Sequence, residues 1–130
     1  MARDYETWLT DDESIIAEKT TAKLAFVVQD EAGVAIPAAS LTTLVATLYV
    51  RRGGAIINSR TAQSILNANG GTVDAGGNGT LILVPADNAI VSATGAIEDH
   101  DLLIEWTYNA GAKAGKHLLH LRVANLAKVT

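Results

Sequence analysis

Between Asp101 and Val123 apolar and polar residues alternate. Leu102, Ile104, Trp106 and Tyr108 interleave with Leu103, Glu105 and Thr107, and Leu119, Leu121 and Val123 interleave with Leu118, His120 and Arg122. The turn formers of residues 109–115 separate the two runs. Two period-two runs joined by a Gly-rich loop predict a β-hairpin. Its apolar face carries one of the two Trp residues. A hairpin by itself is marginal in water, so this face requires a second layer.

The earlier chain supplies candidates for that layer. Ala22, Leu24, Phe26 and Val28 alternate with Lys23, Ala25 and Val27, which predicts a strand ended by a turn at Gly33. Residues 34–36 form a short return strand stopped by Pro37. Residues 44–51 and 55–57 read as two strands joined by a turn through Gly53 and Gly54. Residues 61–66 read as a short helical turn capped at Ser59 or Thr61. A second hairpin is expected from residues 72–74 and 80–84 across the loop Ala75-Gly-Gly-Asn-Gly79. Pro85-Ala-Asp-Asn88 is a turn, residues 90–91 a bridge, and residues 92–101 a polar connection. Seven or eight short strands with turn signals at roughly ten-residue spacing argue for an all-β sandwich or barrel.

The first 18 residues show no sustained period. Thr10-Asp-Asp-Glu13 matches a capping box, which predicts one helical turn over residues 11–17 of an otherwise extended arm. Tyr5 and Trp8 lie in this stretch, either as anchors on a neighbour or folded back over their own domain. The expected division is an N-terminal arm over residues 1–19 and a β-sandwich domain over residues 20–130.

Composition narrows the functional classes. At 130 residues and 48% apolar content the chain forms one globular domain. It has no Cys, which removes disulfides, thiolate metal sites and Cys nucleophiles. The N-terminus lacks the apolar region of a signal peptide, and no run is long enough to span a bilayer. Residues 1–31 carry eight acidic and three basic groups, net −5; the remainder carries six and seven, net +1. No basic face is concentrated for nucleic acid. The acidic arm suits a basic surface on a partner, with Tyr5, Trp8, Asp11, Asp12 and Glu13 as the contact residues.

Catalytic and metal motifs are not found. There is no Gly-x-Ser-x-Gly elbow, phosphate-binding loop or dinucleotide fingerprint. His117 and His120 are three apart on a strand and therefore point to opposite faces, so they do not chelate one ion. His100 sits in Glu98-Asp-His-Asp101, read as a solvated turn in preference to a cation site, and Arg51-Arg52 as an ordinary charged turn. The expectation is a protein that is no enzyme, has no cofactor and no metal, and contacts neither nucleic acid nor membrane.

Several segments then invite comparison: Ile57-Asn-Ser-Arg60, Leu66-Asn-Ala-Asn-Gly-Gly-Thr-Val73, Val84-Pro-Ala-Asp-Asn-Ala-Ile-Val91, Glu105-Trp-Thr-Tyr108, Lys113-Ala-Gly-Lys-His117 and Arg122-Val-Ala-Asn-Leu-Ala-Lys-Val129. Over a little more than half its length the chain resembles small virion structural proteins of tailed bacteriophages with an immunoglobulin-like or baseplate-attachment-type β-sandwich. The resemblance implies a single antiparallel immunoglobulin-like sandwich and a structural role in the virion, assembled in the host cytoplasm. It implies a capsid decoration or cement protein that binds the major capsid protein as a homo-oligomer. The alternative is a neck, tail or baseplate adaptor that attaches fibres or receptor-binding proteins. Because the chain stops soon after its last strand, decoration is expected over adhesion. A carbohydrate- or receptor-binding module is the rival class, with Tyr108 its best candidate residue.

Overall fold

The computed structural model describes residues 6–9, 15–91 and 96–125. Among these residues there are nine strands. They are β1 (Glu6–Leu9), β2 (Ile16–Ala17), β3 (Ala22–Val27), β4 (Leu41–Val50), β5 (Gln63–Ser64), β6 (Gly71–Val73), β7 (Asn78–Leu83), β8 (Ile97–Tyr108) and β9 (Lys113–Ala124). Short 3-10 turns occupy Ala38–Ser40 and Pro85–Asn88.

The strands form two sheets. The larger is a curled mixed sheet of order β1-β9-β8-β4-β5, with β2 also paired to β9. The smaller has the order β3-β7-β6. The β8–β9 hairpin is the longest ladder, running from the Ile97–Ala124 pair to the Tyr108–Lys113 pair without a register shift. The alternation in the sequence explains this length, because every second residue of both strands has an apolar face to cover.

One apolar cluster takes side chains from both sheets. Leu44, Ala46 and Leu48 enter from β4, Leu102, Ile104 and Trp106 from β8, and Leu119 and Leu121 from β9. Leu24, Phe26, Val73, Leu81 and Leu83 enter from the smaller sheet. Each fully buried Leu or Phe contributes about 1.5–3 kcal/mol, so this cluster is the main stabilising term. Two glycines are part of the same packing. Gly79 lies opposite Phe26, and Gly115 opposite Trp106. A Cβ added at Gly115 would lie 2.6 Å from the Trp106 indole nitrogen, so only glycine admits the ring there.

Several expectations are corrected. The larger sheet is not purely antiparallel, because β1 and β2 run parallel to β9. The backbone of residues 6–9 is extended, as expected of an arm, but it is laid against its own chain. Leu9 pairs with Leu121 and Ile16 with Val123, so β1 and β2 are separate pairings and not one strand. Of the helical turn expected over residues 11–17, residues 16–17 form strand β2 instead, and residues 11–14 lie outside the described residues. Residues 61–66 form no helix; Gln63–Ser64 add to the edge of β4, a tertiary contact that outweighs local propensity. Residues 55–57 reduce to a single bridge, Tyr49 to Ile56. The connection expected over residues 92–101 is shorter, because β8 begins at Ile97. Residues 90–91 lie outside any strand or bridge. The hairpin of β6 and β7 and the turn at Pro85–Asn88 match the sequence reading.

A buried ion pair joins the β4–β5 connection of the larger sheet to the connection by which the chain leaves the smaller one. Arg60 lies between β4 and β5, and Asp87 lies between β7 and β8. Arg60 donates through Nε to Asp87 Oδ1 at 2.7 Å and through Nη2 to Oδ2 at 2.9 Å, a bidentate geometry. Asn58 Nδ2 and the Val84 amide also donate to the carboxylate, at 2.9 and 2.8 Å. The remaining guanidinium nitrogen reaches Gln63 Oε1 at 2.8 Å. Burial alone pushes the Asp87 carboxyl up, but the bonds from Arg60, Asn58 and Val84 together hold it below its ordinary value.

Removing one partner leaves a buried charge uncompensated. Asp87→Ala is therefore expected to destabilise the fold by about 3–5 kcal/mol, measured by urea denaturation. A loss comparable to a surface substitution would show that the pair is not holding these two connections together. Because the folded-state pKa is lowered, the pair's contribution is complete above the ordinary Asp range and is lost as pH falls through the lowered value.

Candidate functional site

The strongest polar constellation outside the core lies at the tip of the β8–β9 hairpin. Here the connection from β3 to β4 meets the turn at residues 109–112. The connection is held rigidly. Val28 is fully buried and its amide donates to the Gly77 carbonyl at 3.0 Å, while the Ile36 amide donates to the Val28 carbonyl at 2.8 Å. Asp30 Oδ1 accepts the amides of Ala32 and Val34, which shapes the turn in which Gly33 takes a φ of 80°. The buried Trp106 donates its indole N–H to the Gln29 carbonyl at 3.1 Å, fastening this connection to β8.

These contacts place Glu31 against the hairpin. Tyr108 donates its hydroxyl to Glu31 Oε2 at 2.6 Å, and Lys113 Nζ donates to Oε1 at 2.5 Å. Tyr108 and Lys113 are the last cross-strand pair of the ladder, so the sheet itself sets their spacing. Beside them opens a cleft of about 420 Å³ lined by Asp30, Glu31, Ser40, Tyr108, Asn109 and Lys113, among others. That size falls in the range of small-molecule sites, and the lining is mostly hydrogen-bonding groups. Asn109, Ala110 and Gly111 all have φ between 56° and 87°, a left-handed run that turns the chain sharply at the rim.

The electrostatics follow from the contacts. The hydrogen bonds from Lys113 and Tyr108 hold the Glu31 carboxyl down at about 2, from an ordinary 4.5. Reciprocally, the Glu31 contact raises both the Tyr108 hydroxyl and the Lys113 ammonium above their ordinary values. Glu31 is exposed, so salt and water screen the cluster and it adds little to stability. Its use is positional, because it presents a fixed carboxylate beside an aromatic ring.

A second network lies on the face of the larger sheet opposite the core. Asp101 Oδ1 accepts Arg51 Nε at 3.0 Å and lies 2.8 Å from His120 Nδ1. Asp99 Oδ1 accepts Arg122 Nε at 3.0 Å. The register aligns Tyr49, Asp101 and His120 across β4, β8 and β9. Burial, and after it Asp101, raises the Tyr49 hydroxyl. Arg51 is thus tied into the sheet and is not a free charged turn.

His100 also departs from expectation. It is fully buried on β8, not in a solvated turn, and its Nε2 lies 2.7 Å from Glu98 Oε1. That oxygen also accepts the Val91 amide at 2.8 Å. His117 aligns with Ile104 and His120 with Asp101, so the two rings lie on opposite faces of β9, as their spacing predicts. Among the described residues no three His, Asp or Glu side chains are grouped to hold a metal ion. Among the same residues no helix is long and apolar enough to cross a membrane.

Of the proposed arm contacts, the backbone of Trp8 aligns with His120 in β1, while Tyr5, Asp11, Asp12 and Glu13 lie outside the described residues. Tyr108 was legible from sequence as a rim aromatic. Glu31 and Lys113 were not, since each reads locally as an ordinary loop charge and the two are 82 residues apart. No protein-family model matches the chain, and no curated protein or solved structure matches it either.

Glu31 should titrate with a midpoint of about 2 when its carboxyl carbon is followed by NMR. The contact is then fully present above about 4.5 and lost as pH falls toward 2. In Glu31→Gln the Tyr108 hydroxyl should return toward its ordinary value in an ultraviolet titration. A Tyr108 transition unmoved by that substitution would show that the contact does not persist in solution.

Proposed function

We propose that this chain is a structural virion protein of a tailed bacteriophage, folded as an immunoglobulin-like β-sandwich and attached to a larger assembly. The principal reading is a decoration or cement protein bound to the major capsid shell in many copies; an adaptor in the neck, tail or baseplate is the alternative. The sandwich reading draws on strand order. β9-β8-β4-β5 corresponds to a G-F-C-C′ sheet and β3-β7-β6 to a B-E-D sheet, as in variable-type immunoglobulin domains. A core shared by the two sheets is consistent with it.

The observation that carries the structural role is where the resembling segments fall. Ile57-Asn-Ser-Arg60 and Val84-Pro-Ala-Asp-Asn-Ala-Ile-Val91 surround the Arg60–Asp87 pair. Glu105-Trp-Thr-Tyr108 and Lys113-Ala-Gly-Lys-His117 build the final hairpin. What resembles the virion proteins is thus scaffold. Many copies on a lattice would make weak single contacts collectively strong.

A second reading is favoured by the cleft at the hairpin tip. Tyr108 beside a fixed carboxylate, with Ser40 and Asn109 on the rim, suits a carbohydrate or another hydroxyl-rich receptor group. A glycan array with no signal above background would dismiss this reading.

Antibody labelling of intact particles viewed by electron microscopy separates the principal readings. Label over the head is expected. Label confined to neck or tail would make the protein an adaptor, and particles without label would overturn the virion assignment.

Attachment through the acidic N-terminal segment is tested better by charge than by deletion. Removing residues 1–18 would also remove β1 and β2 from the sheet. Neutralising Asp11→Asn, Asp12→Asn and Glu13→Gln together should weaken co-sedimentation with shells and flatten its salt dependence, with melting unchanged. Binding and salt dependence equal to those of the wild type would exclude these carboxylates from the contact.

A further inference from the structure

We propose that two copies of this chain associate through the open edge of β3, forming one continuous antiparallel sheet of order β6-β7-β3-β3-β7-β6. This deepens the homo-oligomeric reading above by naming the interface. β3 ends its sheet: it pairs with β7 on one side, and among the described residues no strand pairs with its other side.

The ladder fixes which groups face outward. The Val28 amide donates to the Gly77 carbonyl, which continues the β3–β7 register by one residue. Hydrogen-bonded positions alternate along an antiparallel pair, so Ala22, Leu24 and Phe26 also bond toward β7. Lys23, Ala25 and Val27 therefore aim their backbone N–H and C=O groups at the open edge. The side chains of these three residues are exposed.

Three outward residues per strand present three donors and three acceptors. An antiparallel pairing of β3 with a second β3, centred on Ala25, satisfies all of them. In this register Ala25 faces its own copy, and Lys23 faces Val27 of the second strand twice. Each of the three outward pairs exchanges two bonds, which gives six in all. Shifting the register by two residues leaves one outward residue of each strand unmatched. The arrangement has two-fold symmetry, as an isologous contact requires.

Side-chain chemistry agrees. At the axis stand two methyl groups, and Lys23 of one copy lies beside Val27 of the other, not beside a second Lys. The β3–β7 register has no bulge, and β3 contains no Pro. Lys23 is the single charge on the strand, and in this register it meets Val27 and not another charge. Val27, 39% exposed, would be covered by the aliphatic stem of the facing Lys23.

Sedimentation equilibrium of the full chain over a range of concentrations tests this inference. The wild type should form a dimer. Ala25→Pro removes an N–H that β7 does not use, so it should yield a monomer that keeps the β-sheet circular dichroism. Val27→Lys sets a lysine opposite Lys23 twice per dimer and should weaken association about tenfold. Adding Lys23→Glu to that variant should restore it, an outcome a purely structural role would not produce. A wild type that stays monomeric, or a dimer untouched by Val27→Lys, would overturn the inference. If Ala25→Pro fails to fold, the charge-swap pair alone decides. A monomer that still co-sediments with particles would sink the shared edge and leave the virion reading standing.

Discussion

The Arg60–Asp87 pair is the constraint on which the arrangement of the two sheets depends. A buried charge is tolerated only where its partner and its remaining hydrogen bonds are supplied. Here Arg60 comes from the β4–β5 loop of the larger sheet and Asp87 from the β7–β8 connection, and Asn58, Gln63 and the Val84 amide complete the shell. The β4–β5 loop of the larger sheet is therefore clasped to the connection by which the chain leaves β7 of the smaller one. The apolar cluster supplies most of the stability, but it is non-directional. The ion pair requires a particular mutual placement of residues 58–63 and 84–88, which apolar contact alone does not impose.

Around that clasp, the long β8–β9 hairpin acts as the spine. Its inner face fills the core through Leu102, Ile104, Trp106, Leu119 and Leu121. Its outer face carries the network of Asp99, Asp101, His120 and Arg122, reached from β4 by Arg51. Its tip carries Tyr108 and Lys113. Trp106 links these levels, because one buried residue packs over Gly115 and fastens the connection that brings Glu31 to the tip. The cleft is thus a rigid extension of the core, which suits recognition by preformed groups.

Much of this was legible in the alternation. The final hairpin, the β6–β7 hairpin, the strand at residues 22–27 and the turn at Pro85–Asn88 follow from period-two patterning and turn chemistry. The failures share a cause. Residues 61–66 carried a helical signal that the β4 edge overrode. His100 looked solvated because its neighbours Glu98, Asp99 and Asp101 are charged. On a strand those neighbours alternate in facing, and Glu98 and His100 pair through Oε1 and Nε2 inside.

The sequence by itself determined which residues of β3, β4 and the final hairpin share a face and where those strands turn, because side-chain alternation and turn preference are properties of adjacent residues. It also determined that no disulfide staples the fold, since there is no Cys. Only the tertiary structure decided that β1 and β2 run parallel to β9, that Arg60 meets Asp87, and that Glu31 meets Lys113. Those contacts join residues far apart in the chain, and their partners are chosen by sheet order and the burial of charge, which no local period encodes.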